Sequence, residues 1–529
     1  STNTMLYTAT ARYDWSNDKH AVGALVGTSY EHYKYERLAG SREEFPSDAL
    51  TDMEAGSTSG AGYTNGAGSS EYKMLSYFAR VNYTLMDRYL FEVNMRADAS
   101  SRFHKDHRWG YFPSFSAGWR MSEESFMKDI EWINNLKIRA SYGTLGNINN
   151  VGNYDYFQNY SSGNHYNFSD SPVIGIGESK PANETLGWEK VALTDIGLDF
   201  DIFNGLLGVT ADYYIKNTSD ILLGYNVPTE TGITAAPSQN IGKVKNTGFE
   251  LALNHRNKIG AVNYSIGANI ATNKNKITNL GGSDNIIQTS SYIVKYILKK
   301  GESIGSFYGF KTDGLYTQAD IDAGHYYTLS GVVPNAGDIK FVPQRDIEYK
   351  QEITDEDRTI LGKDVPDFTY GVNLSLQYKG FEFSMFGQGI SGTKVAFDVY
   401  GVHPFYHGQD SPRKYHLKRW TEENPNPHAA YPRIYSASSV HTTYNRNFSD
   451  YHLFDSDYFR FKTLSLGYTV PSATVKNWGL QSLKVYVTGE NLFTVRADKK
   501  MEDFDPETAG GVIYTLGTKS VAFGVNISF

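Results

Sequence analysis

Apolar and polar residues alternate with a two-residue period from one end of the chain to the other. That period belongs to β-strands whose two faces meet different surroundings. In the last segment Val521, Phe523, Val525, Ile527 and Phe529 alternate with Ala522, Gly524, Asn526 and Ser528. Upstream, Tyr89, Phe91, Val93 and Met95 oppose Glu92, Asn94 and Arg96, and Leu136, Ile138, Ala140 and Tyr142 oppose Lys137, Arg139 and Ser141. Leu207, Val209, Ala211 and Tyr213 oppose Gly208, Thr210 and Asp212 in the same way. In a soluble sandwich such an apolar face meets a partner sheet and the polar face meets water; in a transmembrane barrel the apolar face meets lipid and the polar face a wet lumen. Alternation alone does not separate the two.

Connection lengths do. The pattern predicts about fifteen strands of roughly 10 to 13 residues, close to the ~9 to 11 that a tilted membrane strand needs. Short turns are expected after Asp14, at Met86 and Asp87, near Glu123 to Asn135, from Ile202 to Gly205, from Asn257 to Gly260, at Lys379 and Gly380, and around Pro471 to Gln481. Long connections are expected between them: Lys34 to Glu71, around His104, Gly146 to Gly187, Asn217 to Lys245, Lys274 to Pro366, Ser391 to Asp457, and a final loop to Ser520. Short turns on one rim and long loops on the other predict an all-β fold, a transmembrane antiparallel β-barrel with periplasmic turns and extracellular loops. Parity then makes the first strand, about Met5 to Tyr13, and the last both descend towards the periplasm, so they cannot close one barrel. Residues 1–529 are therefore expected to be the C-terminal part of a longer barrel, with the first strands outside this chain.

Composition narrows the function. With 14% aromatic and 40% hydrophobic residues the chain is too rich in sticky side chains for a disordered tail. No run of ~20 apolar residues exists, so helical membrane spans are excluded. A net charge of −8 leaves no basic stripe for a phosphate backbone, and nucleic acid is not an expected partner. Without cysteine there is no disulfide framework, thiolate zinc site or cysteine nucleophile. The opening residues STNTMLYTAT carry no signal-peptide pattern.

Several segments point to one family. Trp188-Glu189-Lys190 leads to Ile196-Gly197-Leu198-Asp199-Phe200, then to Asp212-Tyr213-Tyr214-Ile215-Lys216 with Thr218-Ser219-Asp220. Asn240-Ile241-Gly242-Lys243-Val244, Asn246-Thr247-Gly248-Phe249-Glu250, Gly305-Ser306-Phe307-Tyr308-Gly309 and Lys311-Thr312-Asp313-Gly314 follow. So do Pro366-Asp367-Phe368-Thr369-Tyr370-Gly371, Leu464-Ser465-Leu466-Gly467-Tyr468-Thr469 and Gly489-Glu490-Asn491-Leu492-Phe493. In this order, over most of the chain, they resemble the SusC-like TonB-dependent transporters of Bacteroidetes outer membranes. The resemblance implies a 22-stranded barrel holding an N-terminal plug with a TonB box, neither visible here. It further implies the TonB–ExbB–ExbD energising complex and a SusD-like surface lipoprotein as partners, and it leaves open whether two such pairs form a dimer. A family loop of the type D-x-N-G-D-G-x-I-T-x-x-D resembles an EF-hand loop. Here Asp346, Glu348, Lys350, Gln351, Glu352, Thr354 and Asp357 fall at positions 1, 3, 5, 6, 7, 9 and 12. Lysine does not ligate calcium and the turn glycine is gone, so no calcium is expected there.

Two aromatic loops carry the candidate chemistry. One holds Tyr154, Tyr156, Phe157, Asn159, Tyr160, Asn164, His165, Tyr166 and Phe168; the other holds Tyr400, His403, Phe405, Tyr406, His407 and Asp410. Flat rings offer apolar faces to sugar C–H groups while Asn, Asp and His satisfy hydroxyls, which suits oligosaccharide capture. The same residues suit loop-to-loop packing or contact with a lid protein. The substrate-binding candidates are Tyr154, Tyr156, Asn159, Tyr160, His165, Tyr166, Phe405, Tyr406, His407 and Asp410. His403 and His407 are four apart, but Pro404 between them opposes the helix that would align two metal ligands. Gly175-Ile176-Gly177-Glu178-Ser179-Lys180 lacks phosphate-loop spacing and reads as a turn. No nucleophile–base signature supports an enzyme, and neither cofactor nor metal is expected. Terminal Phe529 resembles the signal read by the barrel-assembly machinery and is equally an ordinary aromatic of the interface girdle. The expected function is TonB-dependent import of oligosaccharides. Peptide import is the alternative within the class, and a non-transporting adhesin or passive pore the alternative outside it.

Overall fold

A computed structural model describes residues 1–58, 64–168, 171–224, 238–289, 293–397, 402–405, 411–507 and 517–529. Strands dominate, and fifteen of a sixteen-stranded sheet follow one another in chain order, with the short strand Lys274–Leu280 pairing off that path. No helix among the described residues is long and apolar enough to cross a membrane.

The chain divides into two units. In the first, Thr2–Ser16, His20–Ser41, Thr64–Leu85, Tyr89–Ser100 and Trp109–Arg120 pair antiparallel, each with the next. In the second, the C-terminal residues of Ser238–Ile259 pair with Val262–Thr272. Phe368–Tyr378, Phe381–Ser391, Tyr458–Thr469, Ser482–Arg496 and Ser520–Ser528 then continue the antiparallel series. Tight turns sit where the sequence places them. Met86 and Asp87 (φ 52° and 57°) are left-handed in the three-residue connection between paired Leu85 and Tyr89, and Lys379 and Gly380 (φ 45° and 90°) form the left-handed pair of a two-residue hairpin between Tyr378 and Phe381, whose twist matches that of the flanking strands.

Strand length differs from expectation. The fifteen strands of the in-order series run from 9 residues at Ser520–Ser528 to 22 at His20–Ser41, Thr64–Leu85 and Ser238–Ile259. The two ends of the connection expected at Lys34 to Glu71 are paired backbone, Lys34–Ser41 with Thr64–Glu71, with Ser41 opposite Thr64. The reason is that a ladder begun in the membrane continues into water wherever both strands keep supplying N–H and C=O partners. The connection from Gly146 to Gly187 likewise contains a hairpin, Asn159–Phe168 with Ser171–Lys180.

The amphipathicity is inverted relative to a soluble sheet. Along Tyr89–Ser100, Phe91, Val93 and Met95 are exposed, while on the other face Glu92 and Asn94 are half-buried, Asp98 is buried and Arg96 alone is exposed. In the last strand Phe523 reaches 83% exposure. The polar face is tied together by charge and hydroxyl pairs. Arg139 meets Asp195 at 3.2 Å in the first unit; in the second, Lys137 meets Asp199 at 3.8 Å, Lys484 meets Glu382, and Ser465 Oγ meets Thr488 Oγ1 at 2.9 Å. An apolar outside and a hydrogen-bonded inside are what a lipid-facing barrel wall requires.

The loops build cores of their own. In the second unit Phe310, Leu315, Leu329, Ile339, Phe341, Ile353, Trp420 and Tyr444 pack as one cluster drawn from the 274–366 insertion and the 392–457 loop. In the first, Phe103, Phe112, Val151, Tyr156, Leu186 and Trp188 form another.

Candidate functional site

The first aromatic loop separates into packed and presented rings. Tyr156 is buried in the cluster with Phe103, Phe112 and Trp188, its ring 4.1 Å from that of Phe157. The structure thus places Tyr156 in packing, where a large ring beside Val151 and Leu186 removes apolar surface from water. Tyr156→Ala is expected to destabilise this loop by ~3 kcal/mol, read as faster hydrogen exchange across 148–188, without a selective loss of ligand affinity. Tyr154 is exposed, and its hydroxyl accepts the Glu71 N–H at 3.2 Å. Tyr160 and Tyr166 are exposed on the hairpin strand, while Asn159 is half-buried and its carbonyl accepts the Ser179 hydroxyl at 3.1 Å. His165 pairs its backbone with Ile174; its side chain lies outside what is described.

In the second loop Phe405 is exposed at a left-handed φ of 62°. Tyr406, His407 and Asp410 lie outside the described residues. His403 is buried: its Nδ1 is 3.1 Å from the Tyr431 hydroxyl and its ring 5.2 Å from that of His452. His416 Nε2 donates to the Val402 carbonyl at 2.9 Å. Burial holds His403 far below the ordinary histidine range and takes His452 to about 4. Both rings are therefore neutral at pH 7.

The EF-hand-like loop is closed by an internal cation. Arg345, just before Asp346, donates to Asp357 through Nη2 at 2.6 Å and Nε at 3.1 Å, and Asp357 also accepts the N–H groups of Gln344, Arg345 and Thr354 at 3.0 Å each. Burial opposes ionisation of this acid, but the guanidinium and three N–H donors outweigh it and bring its pKa down to about 2.

A constellation that sequence reasoning missed lies in the second unit. A cavity of about 430 Å³ is lined by Asp364, Gln388, Lys394, Tyr458, Lys462 and Glu507 among others. Glu507 is clamped there: Tyr458 Oη donates at 2.9 Å, Arg460 Nη1 at 2.7 Å, Lys462 Nζ at 2.5 Å and Gln388 Nε2 at 3.3 Å. Arg460, itself buried, also donates to Asp505 at 2.6 Å and to Thr494 Oγ1 at 2.9 Å. The available signal was Arg460 itself, a charge within a wall strand that demands carboxylates from elsewhere. Its partners lie 45 and 47 residues downstream, beyond any local pattern.

An outer face of exposed apolar residues, an inner face of ion pairs, and long loops with their own cores define an outer-membrane β-barrel wall bearing an extracellular mouth. Residues 1–492 match the family described as TonB dependent receptor-like, beta-barrel, and the chain belongs to it. It is 31% identical over 492 residues to TonB-dependent receptor P3 of Formosa agariphila, covering 91% of this chain and 47% of that protein. TonB-dependent receptor SusC of Bacteroides thetaiotaomicron is 29% identical over 467 residues, covering 86% of this chain and 43% of SusC. Among solved structures, the RagAB peptide transporter superposes with a TM-score of 0.82 at 26% identity, over 100% of this chain and 55% of that one. The chain spans about half the length of the relatives it matches.

Proposed function

We propose that this chain forms the wall and extracellular mouth of a SusC-type importer that carries an oligosaccharide across the outer membrane. It acts with a SusD-like lipoprotein over the mouth, and TonB–ExbB–ExbD energises it through a plug and TonB box outside residues 1–529. The observation that carries this is the inverted strand pattern within the TonB-dependent receptor barrel family. The exposed rings of Tyr154, Tyr160, Tyr166 and Phe405 support the sugar reading, since each offers a flat apolar face to ligand. Peptide import is the second reading, favoured by the likeness to the RagAB peptide transporter. The test is uptake of labelled oligosaccharide and peptide libraries by cells with and without TonB, together with mass spectrometry of the complex purified in mild detergent. TonB-dependent uptake of oligosaccharides and a co-purifying lipoprotein support the proposal. Uptake of peptides alone transfers it to the second reading, and uptake independent of TonB overturns both.

Phe529 is 81% exposed and extends the outward apolar series of the final strand. Its deletion is expected to lower the amount of barrel assembled in the outer membrane several-fold while leaving transport per assembled molecule near that of the parent. Quantitative blotting of membranes set against uptake separates the two effects.

A further inference from the structure

A second cavity in the loops, about 530 Å³, is lined by Arg413, Lys414, Arg496, Glu502, Phe504 and Asp505 among others. Its charge is unbalanced. Asp505 is already bonded to Arg460 at 2.6 and 3.3 Å, and the only other lining acid, Glu502, makes no ion pair with either arginine among the described residues. Among the described residues neither Arg413 nor Arg496 makes an ion pair, although the charge of Arg496 helps to lower the pKa of Asp505, and the Nε of each is buried without a hydrogen-bond partner. Arg413 is held by packing, with its guanidinium carbon 5.2 Å over the ring of buried Phe504.

Two guanidinium groups with buried, unused N–H donors on one cavity are an energetic deficit in the absence of a ligand, since a desolvated charged donor without an acceptor loses its hydration and gains nothing. The deficit is relieved by a planar or tetrahedral oxyanion, because a guanidinium fork matches two oxygens at once. Phe504 beside Arg413 adds an apolar face to the same cavity, which suits an anionic group carried on a ring better than a bare ion. We propose that Arg413 and Arg496, with Lys414, form a binding site for the carboxylate or sulfate groups of an acidic oligosaccharide. The proposal rests on the import reading and sharpens it: the cargo is anionic.

The experiment uses the complete transporter purified with its lipoprotein partner and calorimetric titration at low salt, about 50 mM, where charge recognition is least screened. The probes are hexagalacturonate, cellohexaose and hexaglutamate. Hexagalacturonate is expected to bind at least about tenfold more tightly than cellohexaose. R413Q/R496Q is expected to abolish that preference, and R413K/R496K to keep part of it, since lysine keeps the charge and loses the fork. A preference that survives R413Q/R496Q overturns the site. Equal binding of both hexasaccharides by every variant overturns the anionic cargo and leaves oligosaccharide import standing. Binding of hexaglutamate alone overturns the acidic-sugar proposal together with the sugar reading of the function. An unchanged melting temperature of the arginine variants keeps a loss of binding from being a loss of fold.

Discussion

Arg460→Ala is expected to free the last extracellular loop, raising hydrogen exchange across 499–507 by two or more orders of magnitude while the strands Phe381–Ser391 and Ser482–Arg496 keep their protection. Arg460 is 4% exposed and is the cation shared by Asp505 and Glu507, with Nε bonded to Thr494 Oγ1. Removing one member of a buried ion-pair network leaves its partners desolvated and uncompensated, which costs about 3 to 5 kcal/mol. Glu507 keeps Lys462 and Tyr458 as partners, so the loss falls mainly on Asp505. Burial works against ionisation of both acids, and Arg460 for Asp505, with Lys462 and Tyr458 for Glu507, pull their pKa values below the ordinary carboxylate range. Arg460→Lys is expected to recover only part of the protection, because one ammonium cannot span two carboxylates and a hydroxyl as the guanidinium fork does. Unchanged exchange across 499–507 in Arg460→Ala would show that hydrophobic packing of Phe504 alone holds the loop.

The wall was legible in the sequence and the mouth only in outline, for a physical reason. In a wall strand each side chain is assigned to lipid or lumen by its parity, so Phe91, Val93 and Met95 declare their face without reference to anything distant. Turns such as Met86-Asp87 follow from the same registration. The loops obey no period. Tyr154 and Tyr156 are two residues apart in the same aromatic run, yet one is exposed and the other sealed against Trp188, which approaches from 32 positions further along. The altered EF-hand-like loop shows the limit from the other side. Lys350 and the missing glycine argue against calcium by composition, but only the structure shows Arg345 binding the carboxylate at the twelfth position. Arg413 and Arg496 are 83 residues apart, so their common cavity is a property of the folded loops alone.

Acid is expected to loosen the same loop assembly well before the wall responds. His452 is buried, with Nδ1 3.1 Å from Ser449 Oγ and its ring near those of His403 and Tyr451. Burial, reinforced by Lys500 and opposed by a hydrogen bond to the Asn445 backbone, lowers its pKa from 6.5 to about 4. At pH 7 neither the folded nor the unfolded segment holds the proton. Below 6.5 the unfolded segment takes it up and the folded one does not, so stability falls with pH until about 4, where the folded ring is protonated as well. The gap between those values corresponds to about 3 kcal/mol lost across the window. His403, lowered in the same direction by burial, by His452 and His416 and by Arg446, adds to the loss. Asp357, depressed to about 2, contributes in the same direction, but its contribution is fully present above 4 and is lost only below that, so it does not add to the fall between 6.5 and 4. Hydrogen exchange corrected for intrinsic rate should therefore show protection across 411–456 falling between pH 6.5 and 4.5. His452→Gln should flatten that slope, because glutamine keeps a hydrogen-bonding group and carries no proton to gain. Equal acid sensitivity in the parent and in His452→Gln would mean that the loops open by protonation of carboxylates, and the buried histidines would then have no part in it.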